Sequence, residues 1–144
     1  MSEAFIGHGT ILGIGDGATP TEAFTALAEV VNISGPGMSR DTPDVTHMAS
    51  PEGWREFIAG LKDGGELTVE LNHLPGNATH DLADGLLGLF VSGAKTNVKM
   101  TFPVTPAVFW ILPIIVSAFE PDLPLDDKAT LSATFKVAGK PTLT

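Results

Sequence analysis

Apolar and polar residues alternate in three stretches of this chain. Over 66–74, Leu67, Val69 and Leu71 share one side, and Glu66, Thr68, Glu70 and Asn72 share the other. Over 95–102, Val98, Met100 and Phe102 alternate with Asn97, Lys99 and Thr101. Over 127–137, Ala129, Leu131, Ala133, Phe135 and Val137 oppose Lys128, Thr130, Ser132, Thr134 and Lys136. A period of two is that of a strand with one face on a core. Residues 108–119 are apolar almost throughout, the pattern of a strand covered on both faces. Pro113 lies inside that run and requires a bulge or an edge position there. Two shorter strands are expected at 10–13 and 24–33. The first ends in a G-I-G-D-G turn at 13–17. In the second, Leu27, Val31 and Ile33 share a side with Glu29, and Val30 takes the other. Helix competes for this second segment, because T-A-L-A-E-V could propagate as one.

The period changes to helical in two places. Over about 77–92, Ala78, Leu82, Leu86, Leu89 and Phe90 form one stripe. Asn77 or Thr79 can cap its start, Asp81 and Asp84 suit the positive end, and Gly93 supplies a stop. The second place lies inside the long stretch 33–66, whose ends are the turn-rich G-P-G at 35–37 and D-G-G at 63–65. Ser50 and Pro51 make an N-cap and first-turn pair, and Trp54, Phe57, Ile58 and Leu61 follow at i, i+3, i+4 and i+7. Gly53 and Gly60 oppose that helix, each by about 1 kcal/mol relative to alanine. Residues 39–48 read as extended, with Pro43 pointing to an edge or an arm rather than a central strand. The stretch is far longer than the roughly 4–6 residues that usually connect elements. It is also too rich in apolar anchors for a linker. Six or seven strands and one helix, ordered strands, helix, strands, lack the alternation of a parallel α/β sheet. The expectation is an antiparallel β-sandwich or partial barrel, with one flanking helix and a long inter-strand arm at about 34–65.

Composition narrows the function. The 144 residues fit one domain, 1–144, large enough to bury a core unaided. The absence of cysteine excludes disulfides, thiolate zinc sites and a cysteine nucleophile. A net charge of −9 repels phosphate backbones, which argues against ordinary nucleic-acid binding. No basic and apolar leader opens the chain, and the run at 107–119 is too short for a bilayer, which needs about 20 apolar residues. No catalytic constellation, cofactor site or metal site is predicted. The G-x-G-x-G at 13–17 lacks the dinucleotide spacing and a Walker lysine, so it reads as a turn. His8, His47, His73 and His80 have no ligand spacing, although His73 and His80 flank a turn and could meet. Asp41, Asp44 and His47 form D-x-x-D-x-x-H, which on an arm is expected to make polar contacts. Asp122, Asp126 and Asp127 read as a solvated turn.

A long colinear resemblance then adds to these readings. The run I-S-G-P-G-M-S-R-D-T-P-D-V-T-H-M, followed by P-E-G-W-R-E-F-I-A-G-L-K-D-G-G-E-L-T-V-E-L-N, resembles the tail tube (major tail) proteins of bacteriophages with long non-contractile tails and of related gene transfer agents. The resemblance continues through the helix after L-P-G at 74–76, the strand at 98–102 and S-A-F-E-P at 117–121. It closes with the strand at 131–137 and G-K-P at 139–141. It departs at P-A-V-F-W over 106–110, where relatives are expected to carry a polar turn.

The resemblance implies a β-sandwich or partial barrel, subunits in rings, usually of six, and rings stacked into a tube that conducts DNA into a bacterial host. It implies a non-enzymatic virion protein without cofactors, assembled in the host cytoplasm and residing in the virion tail. Its partners would be itself, a tape measure protein and double-stranded DNA in the lumen without specific binding, and terminator and distal tail proteins at the tube ends, with no membrane. The alternative is the inner tube of a contractile phage tail or a bacterial contractile secretion system. The arm is then the expected inter-subunit surface, through Arg40, Asp41, Val45, His47, Met48, Trp54, Phe57, Ile58 and Leu61. It is expected to be mobile in the free subunit and to bury Trp54, Phe57 and Ile58 on assembly. The resemblance makes the arm extended, with room for one helical turn. Glu66, Thr68, Glu70, Thr130, Ser132 and Thr134 are candidate lumen residues, their alternative being outer solvent. Lys128 and Lys136 weigh against a uniformly negative bore.

Overall fold

A computed structural model describes residues 2, 4–15, 22–83 and 85–143. Ten strands form: β1 (Ile11–Gly15), β2 (Phe24–Ala26), β3 (Val30–Ser34), β4 (Ser39–Arg40), β5 (Lys62–Asp63), β6 (Glu66–Asn72), β7 (Thr96–Phe102), β8 (Val108–Asp122), β9 (Thr130–Val137) and β10 (Thr142–Leu143). One α-helix, α1 (Leu86–Ser92), lies between β6 and β7. The main sheet runs β2-β1-β7-β8-β9-β6-β3, with β10 added to β8, and every pairing in it is antiparallel. Its end strands β2 and β3 do not pair with each other, so no barrel closes.

The three alternating stretches become β6, β7 and β9 and place the core as their pattern requires. Leu67, Val69, Leu71, Leu131, Ala133 and Phe135 are fully buried on one half of the sheet. They meet Leu12, Ile14, Val98 and Met100 of the other half in a single apolar cluster. The sheet therefore folds over on itself into a sandwich, and β8 is the strand common to both halves. Its first part pairs with β7 from Val108 to Ile114, and its second part pairs with β9 from Ile114 to Asp122. Pro113 sits where the neighbour on one side changes from β10 to β9, and its carbonyl accepts from Ala138 N–H at 2.7 Å. A proline lacks a donor, so this change of partner is a place that tolerates it. The bulge lies four residues on, at Ser117. It inverts the inward parity: Leu112, Ile114 and Val116 point in before it, and Phe119 packs on the core after it.

The segment 24–33 is not one strand. β2 pairs with β1 and β3 pairs with β6, so the chain crosses between the halves at 27–29. Glu29 takes φ 51° in that crossing. A shift in register between Val30 and Asn32 then puts Val30 with Ile33 against the core and leaves Val31 exposed, the reverse of the expected pairing. Strand β1 also runs on through Gly13 and Gly15, so three of the five residues of the expected glycine turn are strand. Asp16 and Gly17 lie outside the described residues.

Helix α1 is shorter than the expected 77–92. Residues 77–83 form tight turns instead, and the helix opens at Gly85, whose backbone is extended (φ −93°, ψ −164°). A Cβ at Gly85 would collide with the backbone of His80 and Asp81, so the turns pack too closely for a continuous helix. Leu82 and Phe90 are accordingly exposed rather than part of a stripe, and Leu86 carries the burial. Asp84 lies outside the described residues. Gly93 does end the helix, at φ 68° with its N–H on Leu89 O. The preceding turns are pinned to the 27–29 crossing. Thr79 Oγ1 accepts from Ala28 N–H at 3.2 Å, and the buried His80 ring bridges Leu74 N–H (3.3 Å) and Ala28 O (3.1 Å). Those partners require the proton on Nε2. His73 does not meet His80 and packs edge-on to Phe119.

Candidate functional site

Residues 34–65 leave the sandwich as a long hairpin in which no residue is buried. The two chain segments pair antiparallel from the base outward. β4 lies on β5, Asp41 N–H donates to Leu61 O (2.9 Å), Gly60 N–H to Asp41 O (2.6 Å), Ile58 N–H to Pro43 O (3.1 Å) and Val45 N–H to Glu56 O (2.9 Å). The tip is a single 3-10 turn, Pro51–Gly53, after which Trp54 returns to extended backbone (φ −75°, ψ 142°). The helical spacing of Trp54, Phe57, Ile58 and Leu61 is therefore not realised, and the arm is extended with one turn. Cross-strand hydrogen bonds win here because the facing segment offers backbone partners all along, whereas Gly53 and Gly60 weaken a helix.

Polar side chains hold the arm together. Asp44 accepts from Thr46 N–H at 2.8 Å and pairs with Arg55 at 3.4 Å. Hydrogen bonding from the Thr46 side chain, then from its N–H, holds the Asp44 carboxyl below the ordinary 3.8. Glu56 accepts from Ser50 Oγ at 2.6 Å and lies 3.3 Å from His47 Nδ1. Glu56 N–H donates to Thr46 Oγ1 at 2.8 Å. Asp41, Asp44 and His47 do not converge, and no group of three metal-ligating side chains forms among the described residues.

The apolar side chains are left over. Trp54 is 71% exposed, Leu61 83%, and Met48 fully; Val45, Phe57 and Ile58 are also exposed. Single exposed apolar residues are ordinary, but here they are concentrated on one projecting hairpin as an uncovered apolar surface.

The base fixes where the arm starts. Gly35 (φ +101°) has Glu66 O only 2.6 Å from where a Cβ would stand, and at Gly65 (φ +72°) a Cβ would strike the Gly37 carbonyl. Gly37 N–H donates to Glu66 O at 3.2 Å, and Val137 N–H to Gly65 O at 3.0 Å. Asp63 accepts from Gly65 N–H at 2.9 Å and lies 3.6 Å from Lys136 Nζ. The Gly65 N–H, then the Lys136 charge, hold the Asp63 carboxyl below 3.8.

The other surface is the outer face of β3-β6-β9 and the second part of β8. Registers place Glu66 opposite Lys136, Thr68 opposite Thr134, Glu70 opposite Ser132 and Asn72 opposite Thr130. Asn32 and Ser34 extend this polar face on one side, and Glu120 and Asp122 on the other. The six candidate lumen residues thus share one face, and Asn32, Ser34, Glu120 and Asp122, which sequence reading did not place there, share it with them. Their strands are irregular, and the two bulges hide the parity that would have revealed them. Lys136 is the cation on the paired part of this face, and it reaches Asp63; Lys128 lies before β9 begins.

The family model described as "Lambda phage tail tube protein, TTP" matches residues 13–144. Among curated proteins none matches. Among solved structures, a chain in the virion of a native gene transfer agent particle is similar at TM-score 0.75 and 17% identity, over 98% of this chain and 99% of that one. A chain in the tail of an empty gene transfer agent particle, solved with C6 symmetry, is similar at 0.68 and 20%, over 92% and 95%. A chain in the sheath/tube terminator of an extracellular contractile injection system is similar at 0.67 and 14%, over 99% of both.

Proposed function

Because the chain belongs to the lambda phage tail tube protein family, and is thus a structural tail component rather than an enzyme, we propose that it assembles into stacked rings, six subunits to a ring, that form the conduit for DNA delivery. The observation that carries this reading is the arm, a self-braced hairpin whose apolar side chains have nothing to pack on within the subunit. A side chain as large as Trp54 contributes when a neighbour covers it, at about 25 cal/mol per Å² of apolar area removed from water.

Sheet edges give the ring its second contact. Among the described residues β3 ends the main sheet, and beyond Ile114 β8 has β9 as its sole strand neighbour, so backbone groups at both margins of the polar face await partners. Open edges pair with other chains, and closing a ring removes them. The polar face then lines the bore. Its carboxylates Glu66, Glu70, Glu120 and Asp122 outnumber Lys136, so phosphates passing through find little to hold them. The tape measure protein occupies the same bore before DNA, terminator and distal tail proteins close the tube ends, and assembly takes place in the bacterial cytoplasm. Fold likeness to contractile injection systems supports the same ring-and-tube architecture with a sheath outside.

Negative-stain electron microscopy of the concentrated protein is expected to show rings or tubes with a central channel and sixfold end views. A protein that stays monomeric at all concentrations, and does not join a tail, overturns the reading. A sheath around the tube in the particle would assign it to a contractile system.

A further inference from the structure

The arm has a counterpart on the subunit's own surface. Between β4 and β5 on one side and residues 139–143 on the other runs a groove of about 1150 Å³. Met38, Leu61 and Leu143 are exposed in it, and Arg40, Lys62 and Lys140 line it. Three of the eight lysines and arginines of a chain with net charge −9 thus gather in one place. Asp63, the carboxylate of that lining, is already engaged by Gly65 N–H and Lys136. The groove is therefore apolar with a net positive rim.

The arm tip has the opposite character. Asp44 and Glu56 are held within the arm by Arg55, Ser50 and His47. Glu52 stands at the turn with φ 51°, without a hydrogen-bond or ion-pair partner among the described residues, beside the exposed Trp54 and Met48. The tip thus offers apolar side chains and an uncommitted carboxylate.

We infer that the groove is the seat of the arm tip from a second copy of this chain, an inference that rests on the tube reading above. The tip cannot occupy its own groove: from Lys62 out to Glu56 the paired backbone covers roughly 20 Å at about 3.3 Å per residue, and the tip lies beyond. A contact between two different patches is head-to-tail, and repeating it stacks copies without limit. Complementary charge and apolar area at the two patches fix which surfaces meet and in which register.

The chain has no cysteine, so introduced pairs report cleanly. Full-length protein carrying Glu52→Cys is mixed with protein carrying Lys140→Cys, allowed to assemble and oxidised mildly. A covalent heterodimer linking the two positions is expected when oxidation is carried out in tubes, and none when it is carried out below the assembly threshold. Separately, Lys140→Glu is expected to raise that threshold about tenfold, and adding Glu52→Lys to bring it back. Tubes that assemble normally with neither cross-link nor threshold shift overturn the groove assignment and leave the tube reading standing. A wild-type protein that forms no tubes, together with cysteine variants that do not cross-link, overturns both.

Discussion

At the residue scale, the arm's attachment depends on a few groups whose roles differ from what their types suggest. Lys136 would add positive charge to a lumen face, yet its amine lies by Asp63 at the arm base, where that charge is partly neutralised. Asp63 in turn holds the Gly65 amide at the point where the chain re-enters the sheet. Its carboxyl is depressed below 3.8 by that N–H and by Lys136. A depressed carboxylate gives its full contribution above the unfolded-state value, and the contribution disappears as pH falls through the lower folded-state value. The contact is therefore intact at neutral pH and released only in acid below 3.8. In a ¹⁵N-labelled subunit the Gly65 amide resonance is expected to titrate with a midpoint below 3.8. It should cease to titrate in Asp63→Asn. A midpoint at or above 3.8 would contradict the hydrogen bond. None of this was legible in the sequence, where Asp63 read as part of a turn, because the partner Lys136 is distant along the chain and close only through the β6-β9 register.

At the element scale, legibility followed regularity. β6, β7 and β9 were readable because each has one buried face, which leaves an unbroken period of two. The helix was overextended because Ala78 and Leu82 fit its period, whereas the controlling fact is steric: Gly85 touches the turn before it. The arm's helical spacing misled locally for a similar reason, since pairing with 39–46 is a tertiary event. β8 was readable as a strand but not as a bent one, since an apolar run carries no parity to lose. The bulge at Ser117 supplies the missing information, and it gives a sharp test. Inserting one alanine after Ala118 slips the rest of β8 by one residue against β9, turning Phe119 outward and carrying Glu120 toward the core, whereas deleting Ser117 would only restore regular alternation with Phe119 still opposite Ala133. The insertion is expected to cost more than about 3 kcal/mol in urea denaturation, through lost Phe119 burial and buried charge. Ser117→Ala keeps the bulge and gives up one hydrogen bond to Thr134 O, so it should cost under about 1 kcal/mol. Similar losses for the two variants would mean that the register after the bulge does not set the parity.

At the scale of the whole molecule, stability and assembly reside in different residues, and this separation can be measured. The sandwich closes its core with Leu67, Leu71, Leu112, Leu131 and Phe135, none of them from the arm. The arm is braced by backbone pairing and by the Asp44, Ser50 and Glu56 hydrogen bonds, and the Trp54 side chain takes no part in either. Trp54→Ala should therefore leave subunit stability within about 0.5 kcal/mol, as for surface positions away from special features. The same change should remove an aromatic anchor of the kind that dominates interfaces, where truncation costs about 2 kcal/mol or more at a single contact. Repeated in every subunit of a ring, that loss is expected to abolish tubes at concentrations where the wild-type protein forms them. The chain's second tryptophan, Trp110, packs against Phe102 at 5.0 Å between ring centroids and would mask the Trp54 emission. In a Trp110→Phe background the remaining emission should shift to the blue on assembly, as Trp54 passes from solvent into a neighbour. A Trp54→Ala protein that melts like wild type and still forms tubes would remove Trp54 from the contact. One that unfolds early would show instead that the arm belongs to the subunit's own core.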